Sequence, residues 1–131
     1  MKIQLAACIL LFTALSCKKE DHQHEEEVTA TIVITSPSAN DTIPLGSTVS
    51  LEGTVNGSAE MHGYSVTFSN SANGAIIYDQ DYDVHGTYLT IHDHWTNDVQ
   101  DTTVVKILVD VIKDHDGNHE KKEISIVCLP Q

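Results

Sequence analysis

The sequence predicts an all-β fold, a β-sandwich of seven to eight short antiparallel strands. Three observations predict it. Apolar and polar residues alternate at period two in several segments, which puts one face of a strand on a core and the other toward water. Clusters of Gly, Pro, Asn, Asp and Ser interrupt these segments about every 8–12 residues. Nowhere does an apolar period of about 3.6 residues run long enough for a core helix.

The first strand falls in Thr29–Ser36, with Ile32 and Ile34 on one face. Ser36-Pro37 and Asn40-Asp41 are turn chemistry, and Thr42 to Gly46 is a short edge piece where Pro44 is tolerated. Ser47–Val55 follows, with Val49, Leu51 and Val55 in phase, and Asn56-Gly57-Ser58 closes it. His62–Phe68 places Tyr64, Val66 and Phe68 inward. Asn70–Gly74 turns into Ala75–Tyr78, and His85–Ile91 carries Leu89 and Ile91 to the core. Trp95 and Val99 stand four apart behind the capping residue Thr96, a spacing that suits one helical turn over Thr96–Gln100.

The longest alternation lies in Thr102–Leu129. Val105, Ile107, Val109 and Val111 alternate with Lys106 and Asp110, and Ile124, Ile126 and Cys128 with Glu123 and Ser125. Between them, Asp114-His115-Asp116-Gly117-Asn118 has the look of a calcium loop. An EF-hand template started at Asp114 fails where geometry matters, because its glycine position is His119 and its bidentate glutamate position is Ser125. Gly117-Asn118 instead fits a two-residue II′ turn. That turn predicts Val111 opposite Ile124, Val109 opposite Ile126, Ile107 opposite Cys128 and Asp114 opposite Lys121, with Cys128 a buried, unreactive thiol.

The amino terminus has the form of an address. Lys2 precedes an apolar run from Ile3 to Leu15, too short to span a bilayer as a helix, and Ala14-Leu15-Ser16-Cys17 follows. A Cys after a small residue directly behind such a run resembles a bacterial lipoprotein lipobox. Leu usually stands one place earlier, and looser boxes of this form belong to Bacteroidota-type lipoproteins. Lys18-Lys19-Glu20-Asp21 resembles their surface-export signal. The resemblance implies a signal peptide over residues 1–16 and an acylated (palmitate-bearing) Cys17. Each buried acyl CH₂ contributes about 0.8 kcal/mol of membrane affinity. Residues 17–28 form an acidic spacer with no apolar periodicity, expected to be disordered, and residues 29–131 form the domain. Cys8 leaves with the signal and Cys17 is acylated, so Cys128 has no disulfide partner.

The 131 residues hold 19 Asp and Glu against 7 basic residues, all Lys, for a formal charge of −12. An acidic chain without arginine lacks the cationic clusters that neutralise phosphate, which excludes nucleic acid as a partner. No Gly-rich phosphate loop and no Gly-x-Ser-x-Gly elbow is present, and the expected function is not enzymatic.

Ile34-x-Ser36-Pro37, Gly46-x-x-Val49-x-Leu51-x-Gly53 and the closing hairpin Val109-x-Val111 … Asp114-x-x-Gly117-Asn118 … Ile124-x-Ile126 resemble the bacterial immunoglobulin-like domain. The likeness runs from about Ala30 to Leu129 and extends to small Ig-like lipoproteins of the Bacteroidota. It implies a non-catalytic module, lipid-anchored in the bacterial outer membrane and facing the periplasm or the cell surface. Such a module needs no cofactor and binds or presents a protein or glycan ligand through its strand-end loops.

Two side-chain patterns point to metal chemistry instead. His92-Asp93-His94 places two imidazoles on one face of a continuing strand, a pair that can share Zn²⁺ or Cu²⁺. Its third ligand would be His62, His85 or Asp93, and Met61 adds a soft sulfur suited to copper. Asp79, Asp81 and Asp83 alternate in a segment that suits Ca²⁺, giving a calcium-stiffened adhesion unit, or else guards an edge strand.

Overall fold

The computed structural model describes residues 26–130. The expected signal peptide, Cys17, His22, His24 and most of the expected acidic spacer lie outside the described residues. Eight strands follow in order: β1 (Ala30–Ser36), β2 (Thr42–Ile43), β3 (Thr48–Met61), β4 (Tyr64–Asn70), β5 (Ile76–Tyr82), β6 (Gly86–Thr96), β7 (Thr103–Ile112) and β8 (His119–Cys128). They form one sheet of order β1-β3-β6 and another of order β2-β8-β7-β4-β5. The opening strand is thus divided between the sheets: β1 pairs antiparallel with β3, and β2 pairs parallel with β8. Two sheets with this order make an immunoglobulin-like β-sandwich.

Alternation accounts for the core. Val49, Leu51 and Val55 on one sheet, and Val66, Phe68 and Val105 through Val111 in alternation on the other, are buried as their phase predicts. Each fully buried side chain of this size contributes about 1.5–3 kcal/mol. Phe68 sits at the centre, with Trp95 at 5.7 Å and Tyr78 at 5.5 Å, both edge-on. Gly53 lets the sheet close, since a Cβ there would run into the Val33 carbonyl oxygen.

Three local expectations give way. β3 does not end at Asn56-Gly57-Ser58; the register shifts there and the strand runs on until Met61 pairs with Gly86. The turn-forming residues make a bulge rather than a turn. The segment Thr96–Gln100 is not a helical turn, because the Asn97 side chain binds elsewhere in the fold. Asn97 is buried and its Nδ2 donates to the carbonyls of Ile43 (3.0 Å) and Leu129 (3.1 Å), while its Oδ1 accepts from Val99 N–H (3.2 Å).

The third is the closing hairpin. Ile112 pairs with His119, and the chain reverses over Lys113–Asn118 instead of turning at Gly117-Asn118. Val111 therefore lies opposite Glu120, Ile107 opposite Ile124, and Thr103 opposite Cys128. The Asp114 carboxylate holds the wider loop: Oδ1 accepts from the N–H groups of Asp116 and Asn118 (both 3.0 Å), and Oδ2 from Asn118 Nδ2 (2.8 Å). These bonds, the Asn118 side chain first, hold the Asp114 carboxyl below its ordinary range. The observed register also sets Asp110 opposite Lys121, joined at 3.1 Å. The slip is even-numbered, so every side chain keeps its face. Cys128 is buried as expected, and burial pushes its thiol up to about 11.

A candidate site at the loop end

β1 begins, and β3, β5 and β7 end, at one end of the sandwich, where the connections β3–β4, β5–β6 and β7–β8 meet. This end gathers most of the histidines among the described residues. Strand alternation builds its centre. Met61 pairs with Gly86 and turns inward, so its neighbours Glu60 and His62 turn outward, beside His85 at the end of the β5–β6 loop. The backbone then fixes His62: its N–H donates to the Ile112 carbonyl (2.9 Å), and Ile112 N–H donates to Gly63 (3.0 Å). Gly63 adopts φ +119°, and a Cβ there would lie 2.6 Å from the Tyr82 carbonyl oxygen. Only glycine allows β5 so close, and that approach brings the β5–β6 loop to His62.

His62 Nδ1 and His85 Nδ1 are 3.1 Å apart, and Glu60 Oε1 is 3.8 Å from His85 Nδ1. The ligand atoms of these three residues all lie within 4.8 Å of one another. On its other side His85 presents Nε2 to Asp83 Oδ1 at 3.1 Å. The ring of His115, from the β7–β8 loop, lies against that of His62 at a centroid distance of 3.9 Å. A groove of about 400 Å³ opens alongside, lined by His62, Tyr82, Asp83, Asp110, Ile112 and His119 among others. In it His119 Nδ1 meets Asp110 Oδ1 at 2.6 Å.

The residues singled out in the sequence are thereby sorted. His92 and His94 do share the exposed face of β6, but His92 Nδ1 binds Glu52 Oε1 (2.7 Å) and His94 lies across from Ser50. Among the described residues no third ligand joins this pair. Asp93 points to the opposite face, buried between the sheets, where Oδ1 accepts from Tyr78 OH and from His94 N–H, both at 2.7 Å. Its Oδ2 has no partner among the described residues. Burial first, and then Asp93, raises Tyr78 and Tyr82 above the ordinary phenol value. Met61 is wholly buried, and its side chain is part of the core cluster. Asp79 and Asp81 lie on β5, the edge of its sheet, and Asp83 in the loop beyond. Asp79 accepts from Thr67 Oγ1 (2.9 Å), and Asp83 faces His85; the three carboxylates do not converge.

Glu60 is the residue that sequence reasoning missed. Its signal was present as Glu60-x-His62, a same-face pair of the kind recognised at His92 and His94.

No family model and no curated protein matches the chain. Among solved structures it is similar to the fibronectin(III)-like modules of Clostridium thermocellum CbhA, at 16% identity and a TM-score of 0.48, over 77% of this chain and 47% of that one. The chain thus spans about half the length of that neighbour. It is also similar to a CARDB domain from Pyrococcus furiosus. The solution structure of that domain gives 15% identity and a TM-score of 0.44, covering 76% of this chain and 94% of that one. Its crystal structure in complex with di-metal ions gives 14% identity and a TM-score of 0.41, over 79% and 94%. The described residues fold as an immunoglobulin-like β-sandwich, all-β and of eight strands, as their own sheet order shows.

Proposed function

We propose that the chain is a non-catalytic, lipid-anchored immunoglobulin-like module of the bacterial outer membrane, binding a protein or glycan ligand at its loop end. The observation that carries the binding assignment is the meeting of three connections around the groove of about 400 Å³. Ig-like variable domains use one end of the sandwich in the same way. Support for the anchor comes from the lipobox-like Ala14-Leu15-Ser16-Cys17.

The histidine chemistry supports the non-catalytic reading. The histidine hydrogen bonds here run to carboxylates and to another imidazole. Cys128, buried and with its thiol raised to about 11, has the opposite of an activated thiolate.

Feeding an alkynyl palmitate to cells that express the chain tests the anchor. The expected result is label on the wild-type chain, lost in Cys17→Ser together with membrane retention. An unlabelled wild-type chain in the soluble fraction would overturn the anchored reading. Protease treatment of intact cells then separates the surface-exposed from the periplasmic orientation.

A further inference from the structure

We propose that Glu60, His62 and His85 form a binding site for one divalent transition-metal ion of the Zn²⁺ class. The site deepens the reading of the loop end as the binding end, and it depends on neither the anchor nor the groove's ligand.

Geometry is the first support. An ion about 2.0–2.1 Å from each imidazole nitrogen, in tetrahedral coordination, holds adjacent donors about 3.3 Å apart. The two Nδ1 atoms are 3.1 Å apart, and Glu60 Oε1 lies 3.8 Å from one of them. Small side-chain rotations suffice to bring all three donors onto one ion, because Glu60 and His85 are both more than half exposed and free to adjust.

The second support is independent of those distances. Asp83 occupies Nε2 of His85, at 3.1 Å. That contact orients the ring and turns the opposite nitrogen, Nδ1, toward His62 and Glu60. Carboxylate on one nitrogen and metal on the other is the usual arrangement of a ligating histidine, and it raises the imidazole's donor strength. The ring of His115 lies tilted against that of His62, at a centroid distance of 3.9 Å, and flanks the second ligand.

Donor chemistry selects the ion. Two imidazoles and one carboxylate suit Zn²⁺, with Cu²⁺ and Ni²⁺ as competitors, and do not suit the all-oxygen preference of Ca²⁺. Cu⁺ would want the thioether of Met61, and that sulfur is buried in the core. The formal charge of −12 raises the local concentration of any cation. Three protein ligands leave a fourth position on the exposed side, open to water or to a donor group of a bound partner.

The test is calorimetric titration of the full chain in detergent with Zn²⁺, backed by circular dichroism on each variant. One equivalent binding more tightly than about 10 μM is expected. His62→Gln and His85→Gln should each abolish that step while leaving the β-sheet spectrum unchanged. Asp83→Asn should weaken it about tenfold, and His92→Gln with His94→Gln should leave it intact. Absence of a step tighter than about 10 μM would overturn the site, as would a step that survives His62→Gln with His85→Gln. Either result would leave the palmitate experiment untouched.

Discussion

The two ends of this sandwich solve the same problem differently. At the end where β6 finishes, a single buried amide, Asn97, ties the loop to the edge strand β2 and to the chain beyond β8 through backbone carbonyls. At the other end Glu60 near the close of β3 and His62, His85 and His115 in the connections are at least partly exposed, and their side chains meet one another rather than the backbone. Buried polar groups bonded to main chain hold a fold together, because leaving them unpaired is costly. Exposed imidazoles and carboxylates bonded only to each other are replaceable at little cost, which is what a ligand needs. One end closes the structure and the other is free to work.

That contrast can be broken by substitution. The reference for a large effect lies between the two ends. Phe68→Ala, at the aromatic centre, should cost about 3–5 kcal/mol in chemical denaturation. Asn97→Ala should cost about 1–3 kcal/mol, since it strands the carbonyls of Ile43 and Leu129 without donors. A loss under about 0.5 kcal/mol would mean that water replaces the amide and the closed end is not held as described.

Titration separates the interior from the loop end by sign. Cys128 ionises near 9 when unfolded and at about 11 in the fold, so the unfolded chain loses its proton first. The stability linked to this group is complete below pH 9 and is lost as pH rises toward about 11. Tyr78 and Tyr82, also raised, extend the loss to higher pH. Asp114 works the other way. Its folded value is lowered, so its contribution is present above the ordinary carboxylate value and disappears as pH falls through the folded one. Melting temperature against pH should fall on the alkaline side, and Cys128→Ala should remove the earliest part of that fall.

The smallest effect belongs to the candidate site. His62→Gln with His85→Gln, without metal, should change stability by no more than about 0.5 kcal/mol. With excess Zn²⁺ the wild-type chain alone should gain melting temperature, because only it offers the complete donor set.

Much of the fold was legible in the residues. Alternation in Val49–Val55, Tyr64–Phe68 and Val105–Val111 named the core correctly. It did so even where the closing hairpin was read four residues out of register, with Val111 opposite Ile124 instead of Glu120. The site was less legible. His92 and His94 were conspicuous because they are adjacent on one strand, yet the structure gives them no third ligand among the described residues. His62 and His85, recognised as candidates, needed Glu60 and a bulge in β3 to become a group.

The sequence by itself determined which face each side chain takes, because that depends only on parity along a strand. It also supplied the donor types and the acidic excess. Only the tertiary structure decided which donors meet. That depends on Met61 pairing with Gly86, on the close approach at Gly63, and on the loop held by Asp114. Convergence is a property of register and of loop length. An even slip leaves the hydrophobic pattern satisfied while moving every partner by two pleats, so no amount of alternation can choose between registers.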